Sequence, residues 1–292
     1  MRRSRSRAAR VSPAVVPWSG ARRSAAGRVA LAVALTVLGP VPAAARPSQL
    51  RESVVEAGGR FVRALCTEGP RRVLLVHGEG SGADAYRPVL ERLDGVLGAC
   101  AYDRRGLDDE GVGRRGWFEL VDEMRRIHSA LGFERGYTLV GHSLGGLYAR
   151  LYAADRPGDV GALLLLDPAH EDMPEAVRPG MPRAAWEELT RLRRLPNEDG
   201  LREADVAERA RQSRLPDIPV TVLTATRRRS GDGWDERFLN QAARRAHASI
   251  PQGVTFGRHV PAQGIGHDIH LEAPDVVVAE ILRISRITGG LP

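Results

Sequence analysis

The sequence predicts an α/β fold built on a mostly parallel sheet with helices on both faces, and three observations carry that prediction. Short apolar runs alternate along the chain with stretches of helical spacing, the order a layered α/β domain requires. The middle runs, VLLV (73–76), TLV (138–140) and ALLLL (162–166), are apolar at every position, as strands covered on both faces must be. Between one such run and the next helical stretch lies Gly141-His142-Ser143-Leu144-Gly145, a strand–turn–helix junction.

The chain has 292 residues and a formal charge of +7. Residues 1–45 hold eight arginines and no acidic residue, so the remainder stands at −1, with no global field to attract nucleic acid. After the arginines come the apolar run Val29–Leu38, then Gly39, Pro40, Pro42 and Ala43-Ala44-Ala45. A basic start, a short apolar core and a small-residue end predict a secretory signal over residues 1–45, cleaved after Ala45. The apolar run is too short for a stable membrane anchor. The Arg22-Arg23 pair leaves a twin-arginine export route as a second reading, and an uncleaved segment as a third. The expected location is therefore the periplasm or the exterior. Residues 46–292 suit one domain.

Strand candidates follow at Arg60–Cys66, Val73–Val76, Ala99–Tyr102, Tyr137–Val140, Ala162–Leu166, Val220–Leu223 and Val254–Val260. Val121, Met124, Ile127 and Leu131 recur at three- and four-residue steps and predict a helix over Phe118–Leu131. A further helix is expected over Gly146–Ala154, and a last one over Pro274–Ile287, where Pro274 suits the first turn. From Glu171 to Pro216 there is no strand candidate, while Trp186, Leu189, Leu192 and Leu195 recur every three residues. Helices inserted between two parallel strands lie over the carboxyl edge of the sheet, where ligands bind, so residues 171–216 are a candidate lid.

No lysine is present, which excludes a P-loop lysine, a pyridoxal Schiff base and a Ser-Lys dyad. The chemistry falls instead to Ser143, placed on a tight turn with the start of a helix behind it. A serine hydroxyl needs a base within hydrogen-bond reach. His267, in Gly264-Ile-Gly266-His267-Asp268-Ile-His270, lies between the last strand candidate and the last helix and is the expected base. His270 reads as packing or surface, and the His142 side chain is expected to diverge from the hydroxyl. Two N–H donors are needed for a tetrahedral oxyanion: Leu144, and Glu79 in the glycine-rich His77-Gly78-Glu79-Gly80-Ser81-Gly82 loop. His77 is expected to brace that loop.

In this order His77-Gly78, Tyr102-Asp103-Arg104-Arg105-Gly106, Gly141–Gly146 and Gly266-His267 resemble the α/β-hydrolase fold serine hydrolases, over nearly all of residues 60–287. The resemblance implies an eight-stranded sheet, esterase-like chemistry, and structural roles for Asp103 and Arg104 beneath the pocket. It also makes the strands that hold Cys66 and Cys100 neighbours, which predicts a disulfide in an exported protein. The acid is the open element. The family usually places it after the strand at Val220–Leu223, where Asp232 comes a few residues late; a minority places it one strand earlier, where Asp167 ends the ALLLL run. Asp167 is favoured and Asp232 is the alternative.

The expected protein is thus a secreted serine hydrolase of carboxylic esters or related small acyl substrates, working through an acyl-enzyme with no cofactor and no metal. His267-x-x-His270 lacks a third ligand at any motif spacing. Lactone, amide or thioester hydrolysis and peracid formation would use the same residues. A binding-only domain would be expected to lose Ser143 or His267, and both are present. The Arg227–Arg229 run reads as a solvated loop.

Overall fold

The computed structural model describes residues 50–107, 114–227 and 236–289. Residues 1–45, Arg228, Arg229 and Asp232 lie outside the described residues. The described strands are β1 (Arg51–Glu56), β2 (Phe61–Cys66), β3 (Arg71–Val76), β4 (Gly98–Tyr102), β5 (Tyr137–His142), β6 (Val160–Leu166), β7 (Val220–Ala225) and β8 (Gly257–Ala262). They pair into one eight-stranded sheet in the order β1-β2-β4-β3-β5-β6-β7-β8. The β1–β2 and β2–β4 pairs are antiparallel, and every pair from β4 onward is parallel.

The helices are α1 (Arg87–Leu93), α2 (Trp117–Ala130), α3 (Ser143–Asp155), α4 (Met173–Val177), α5 (Arg183–Leu192), α6 (Glu203–Gln212), α7 (Glu236–Ser249), α8 (Ile269–Glu272) and α9 (Pro274–Ile287). They divide the core between the two faces of the sheet. Leu74, Val76, Leu139, Leu163, Leu165 and Val222 pack with residues of α2, α3 and α6. Their neighbours Val73, Leu75, Val140, Leu164, Leu166 and Leu223 point the other way and pack with α1 and α9. Alternating side chains that are buried on both sides explain runs that are apolar almost throughout.

Two edges depart from the expected elements. The polar sequence RESVVE carries no apolar run, yet it forms β1 because its backbone completes the edge of β2, leaving its side chains largely in water. At the other edge β8 begins at Gly257 rather than Val254. The Asp217 carboxylate accepts from the Thr255 N–H at 2.7 Å and its hydroxyl at 2.8 Å, which holds that stretch as a turn.

Residues 171–216 contain α4, α5 and α6 and no named strand. The insert is not uniform. Leu201, Val206 and Ala210 belong to the core, whereas α5 has no buried residue. Cys66 and Cys100 face each other across β2 and β4 and are joined by a disulfide.

Candidate active site

Strand β5 ends in the sharp turn that the glycines of the junction permit. Ser143, the first residue of α3, takes φ +50°. A Cβ at Gly141 would meet the Gly145 carbonyl at 2.6 Å, and one at Gly145 would meet the His77 carbonyl at 2.2 Å. The turn is therefore pressed against the end of β3. In the loop that leaves β3, a Cβ on Gly78 would lie 3.2 Å from the Cβ of Ser143, so the His77–Gly82 loop passes directly beside the nucleophile candidate.

Three loops at the carboxyl edge of the sheet converge on this turn. Asp167 follows β6 and its backbone, at φ +40°, is also left-handed. His267 follows β8. The His267 Nε2 lies 3.0 Å from Ser143 Oγ, and its Nδ1 lies 2.6 Å from Asp167 Oδ2. The Asp167 side chain is buried while that of His267 is 49% exposed. The second carboxylate oxygen, Oδ1, accepts from the Ala225 N–H at 3.0 Å. Strand β7 thus supplies a backbone donor to the carboxylate of its neighbour.

The other histidines near Ser143 are buried, and each is engaged or stacked. His142 Nε2 donates to the His267 carbonyl at 3.0 Å, so the ring turns away from the hydroxyl and ties the His267 loop to the elbow. His270 packs between Tyr86 and His142, with ring centroids 4.8 and 4.4 Å away. His77 Nδ1 donates to the Gly78 carbonyl at 2.7 Å, and its Nε2 accepts from the Arg104 N–H at 3.1 Å, bracing the glycine-rich loop. Burial, with lesser repulsion from neighbouring cations and imidazoles, pushes His77 and His142 down to about 3 and His270 to about 4. All three are neutral at pH 7. They add no positive charge beside His267.

Arg104 lies beneath the loop. Its guanidinium donates to the His77 carbonyl, to the Gly78 carbonyl at 3.3 Å and to the buried carboxylate of Asp199 at 3.1 Å. Next to Asp199, the Glu198 carboxylate accepts from the Gly80 N–H at 2.8 Å. The Arg104 contact matches its expected structural role, but Glu198 and Asp199 carry no motif, and their link to this loop crosses about a hundred residues of sequence. Burial, then Glu198, Glu203 and Asp199, pushes the Glu79 carboxyl up from its ordinary value. Asp103 accepts from the Ala83 N–H at 2.6 Å, and Arg227 pairs with Glu272.

Among the described residues one group could gather a cation: His142, Asp268 and His270, whose ligand atoms lie within 4.8 Å of one another. The group shares only His270 with the His267-x-x-His270 spacing, and its other histidine, His142, comes from a distant part of the chain. His142 Nε2 is already committed to the His267 carbonyl, so a cation drawing on that atom would have to break the bond. Two cavities, of about 570 and 360 Å³, open along α7; neither is lined by Ser143 or His267.

The sequence profile of the alpha/beta hydrolase fold matches residues 71–269. This chain belongs to that family. The hydrolase-fold chain is 26% identical to the Bacillus subtilis protein YqjL over 203 residues, which cover 68% of this chain and 78% of that one. Among solved structures, the epoxide hydrolase CorEH matches with a TM-score of 0.56 at 20% identity, over 82% of this chain and 99% of that one. Carboxylesterase CesB from Bacillus subtilis matches with a TM-score of 0.55 at 15% identity, over 84% and 94%. At these identities the likeness to the solved structures is one of fold. Because proteins of different named activity share it, the reaction has to be argued from the residues of the site.

Proposed function

We propose that the chain is a serine hydrolase that cleaves carboxylic esters or related small acyl substrates. The observation that carries this reading is the hydrogen-bonded line from Ser143 Oγ through His267 to Asp167 Oδ2, at 3.0 and 2.6 Å. Ser143 attacks the carbonyl carbon while His267 Nε2 takes its proton. Asp167 accepts from Nδ1–H, which holds the imidazole in the tautomer whose Nε2 is free to accept, and stabilises the imidazolium that forms. The backbone N–H groups of Leu144 and Glu79 hold the developing oxyanion, each worth on the order of 10²–10³ in turnover. The imidazolium then protonates the leaving group; water, deprotonated by the same imidazole, attacks the acyl carbon, and the imidazolium returns the proton to Ser143 Oγ as the acid departs. No cofactor is needed for these steps.

Export is part of the reading. The basic and apolar pattern of residues 1–45 and the Cys66–Cys100 disulfide both fit an oxidising compartment outside the cytoplasm. Among the described residues no helix is long and apolar enough to cross a membrane. In the lid role, α5 is the mobile part, since it alone of the longer insert helices buries nothing.

The test is labelling by a fluorophosphonate probe. The wild type should be labelled and Ser143→Ala should not. An unlabelled but folded wild type would overturn the serine mechanism. A panel of p-nitrophenyl esters graded by acyl length then reads the substrate class.

A further inference from the structure

Among the described residues, Ser143 and Asp167 are the non-glycine residues with left-handed backbone, at φ +50° and +40°. Such conformations are disfavoured for residues with a side chain and persist where the surroundings over-determine them. Part of that constraint is a single peptide. The Ala169 N–H donates to the Ser143 carbonyl at 2.8 Å, and on the other side of the same peptide the Pro168 carbonyl accepts from His247 Nε2 at 2.8 Å. The nucleophile turn and the acid turn are therefore joined through one peptide plane, and His247 on α7 grips its far side.

A carbonyl oxygen only accepts, so His247 Nε2 carries a proton, and with the ring neutral Nδ1 accepts. Its donor is the Thr224 hydroxyl, 2.8 Å away. Having donated its proton, that hydroxyl accepts from His259 Nε2, also at 2.8 Å. His247 and Thr224 are fully buried. His247 Nδ1 lies 3.7 Å from Asp167 Oδ1, the oxygen held by the Ala225 N–H. A proton on Nδ1 would compete for that oxygen, and the Thr224 hydroxyl, by donating to Nδ1, keeps it unprotonated.

We propose that His247, with its tautomer set by Thr224, is a positioning residue that holds the Pro168–Ala169 peptide and so keeps Asp167 aligned with His267 and Ser143. The proposal rests on the serine hydrolase reading. His247 acts through the acid and touches neither substrate nor reacting atoms. Strand β7, after which the family usually places its acid, here supplies the support for an acid placed one strand earlier.

Steady-state hydrolysis of p-nitrophenyl acetate and the rate of fluorophosphonate labelling test it in four variants. Thr224→Val removes the hydroxyl at nearly constant volume, and His247→Phe removes both ring nitrogens. Each should lower kcat about ten- to a hundred-fold, with KM within about twofold, because a misplaced catalytic group loses rate rather than binding. Thr224→Ser restores the hydroxyl, and His247→Gln keeps one donor and one acceptor; both should recover most of the loss. In ¹⁵N spectra the His247 ring should show the Nε2–H tautomer in the wild type and lose that preference in Thr224→Val. Should His247→Phe fail to fold, the near-isosteric Thr224→Val carries the test. A labelled wild type beside a folded Thr224→Val of unchanged kcat would sink this proposal alone, as would a loss that Thr224→Ser does not restore. An unlabelled wild type would sink the serine reading beneath it.

Discussion

The carboxylate that pairs with His267 is the residue on which the site turns, and its two candidates make different predictions. Asp167→Asn leaves the shape of the site intact but reverses the hydrogen bond to Nδ1; kcat should fall by about 10³–10⁴ with little change in KM. Asp232→Asn should leave kcat within about twofold of the wild type. Steady-state hydrolysis of a p-nitrophenyl ester by both variants distinguishes them, and the opposite ranking would move the acid to the loop after β7. The turn around Ser143 is equally exacting: Gly145→Ala would drive a methyl group to 2.2 Å from the His77 carbonyl, so probe labelling should be lost even where the chain folds. Ser143 and His267 stand out as candidates in the sequence because each sits in a short motif with the right neighbours, and the fold brings them within 3.0 Å. The acid was not settled by the same means. A carboxylate at the end of β6 and one after β7 look alike to a local reading; Asp167 Oδ2 lies 2.6 Å from Nδ1, and Asp232 lies outside the described residues. His247 and Thr224 left no local trace, since a buried histidine on an amphipathic helix and a threonine in a strand are ordinary residues until their partners are known.

At the scale of elements, the insert between β6 and β7 behaves as two parts. Its segment Asn197–Leu201 is anchored: Asp199, fully buried, pairs with the equally buried Arg104, and Asn197 Oδ1 accepts from the N–H groups of Asp199 and Leu201. Removing one partner of such a pair leaves an uncompensated buried charge, so Asp199→Ala should cost about 3–5 kcal/mol in urea unfolding. It should also lower kcat, because the same guanidinium holds the carbonyls of His77 and Gly78. By contrast Leu192→Ser on α5, where the side chain is half exposed, should change stability by no more than about 0.5 kcal/mol. Equal effects of the two substitutions would contradict this division. The helical content of residues 171–216 followed from the three-residue spacing of Trp186, Leu189, Leu192 and Leu195. That the spacing marks the least buried helix, while the polar Asn-Glu-Asp stretch is the anchored one, could not: spacing reports which face is apolar and says nothing of whether a partner meets it.

Across the whole molecule, stability should depend on redox state and on pH. The Cys66–Cys100 disulfide closes a loop between two paired strands with a sequence separation of 34, and in the chain-entropy account contributes about 3–4 kcal/mol. Guanidinium midpoints of the oxidised and reduced protein should differ accordingly, and coincident curves would refute the contribution. Burial holds His77, His128 and His142 at about 3 and His270 at about 4, against an ordinary 6.5. Between pH 6.5 and those values the unfolded chain binds protons that the folded chain does not. Stability is therefore full above pH 6.5 and falls as the pH drops, by up to about 1.4 kcal/mol per pH unit for each histidine. The denaturation midpoint should decline from pH 7 to pH 5, and a flat profile would contradict the burial of these rings as neutral groups. The strand–helix alternation, the both-face burial of the central strands, the turn at Ser143 and the loop that carries His267 were all readable along the chain, because periodicity and turn chemistry are local properties of the backbone. The edge strand β1, the pairing of Asp167 with His267, the anchoring of the insert and the hydrogen bonds around the Pro168–Ala169 peptide were decided by the folded chain. Each depends on hydrogen bonds or ion pairs between groups far apart in sequence, such as the hundred residues between Asp167 and His267, and no local pattern encodes which of several equivalent partners the fold will bring within reach.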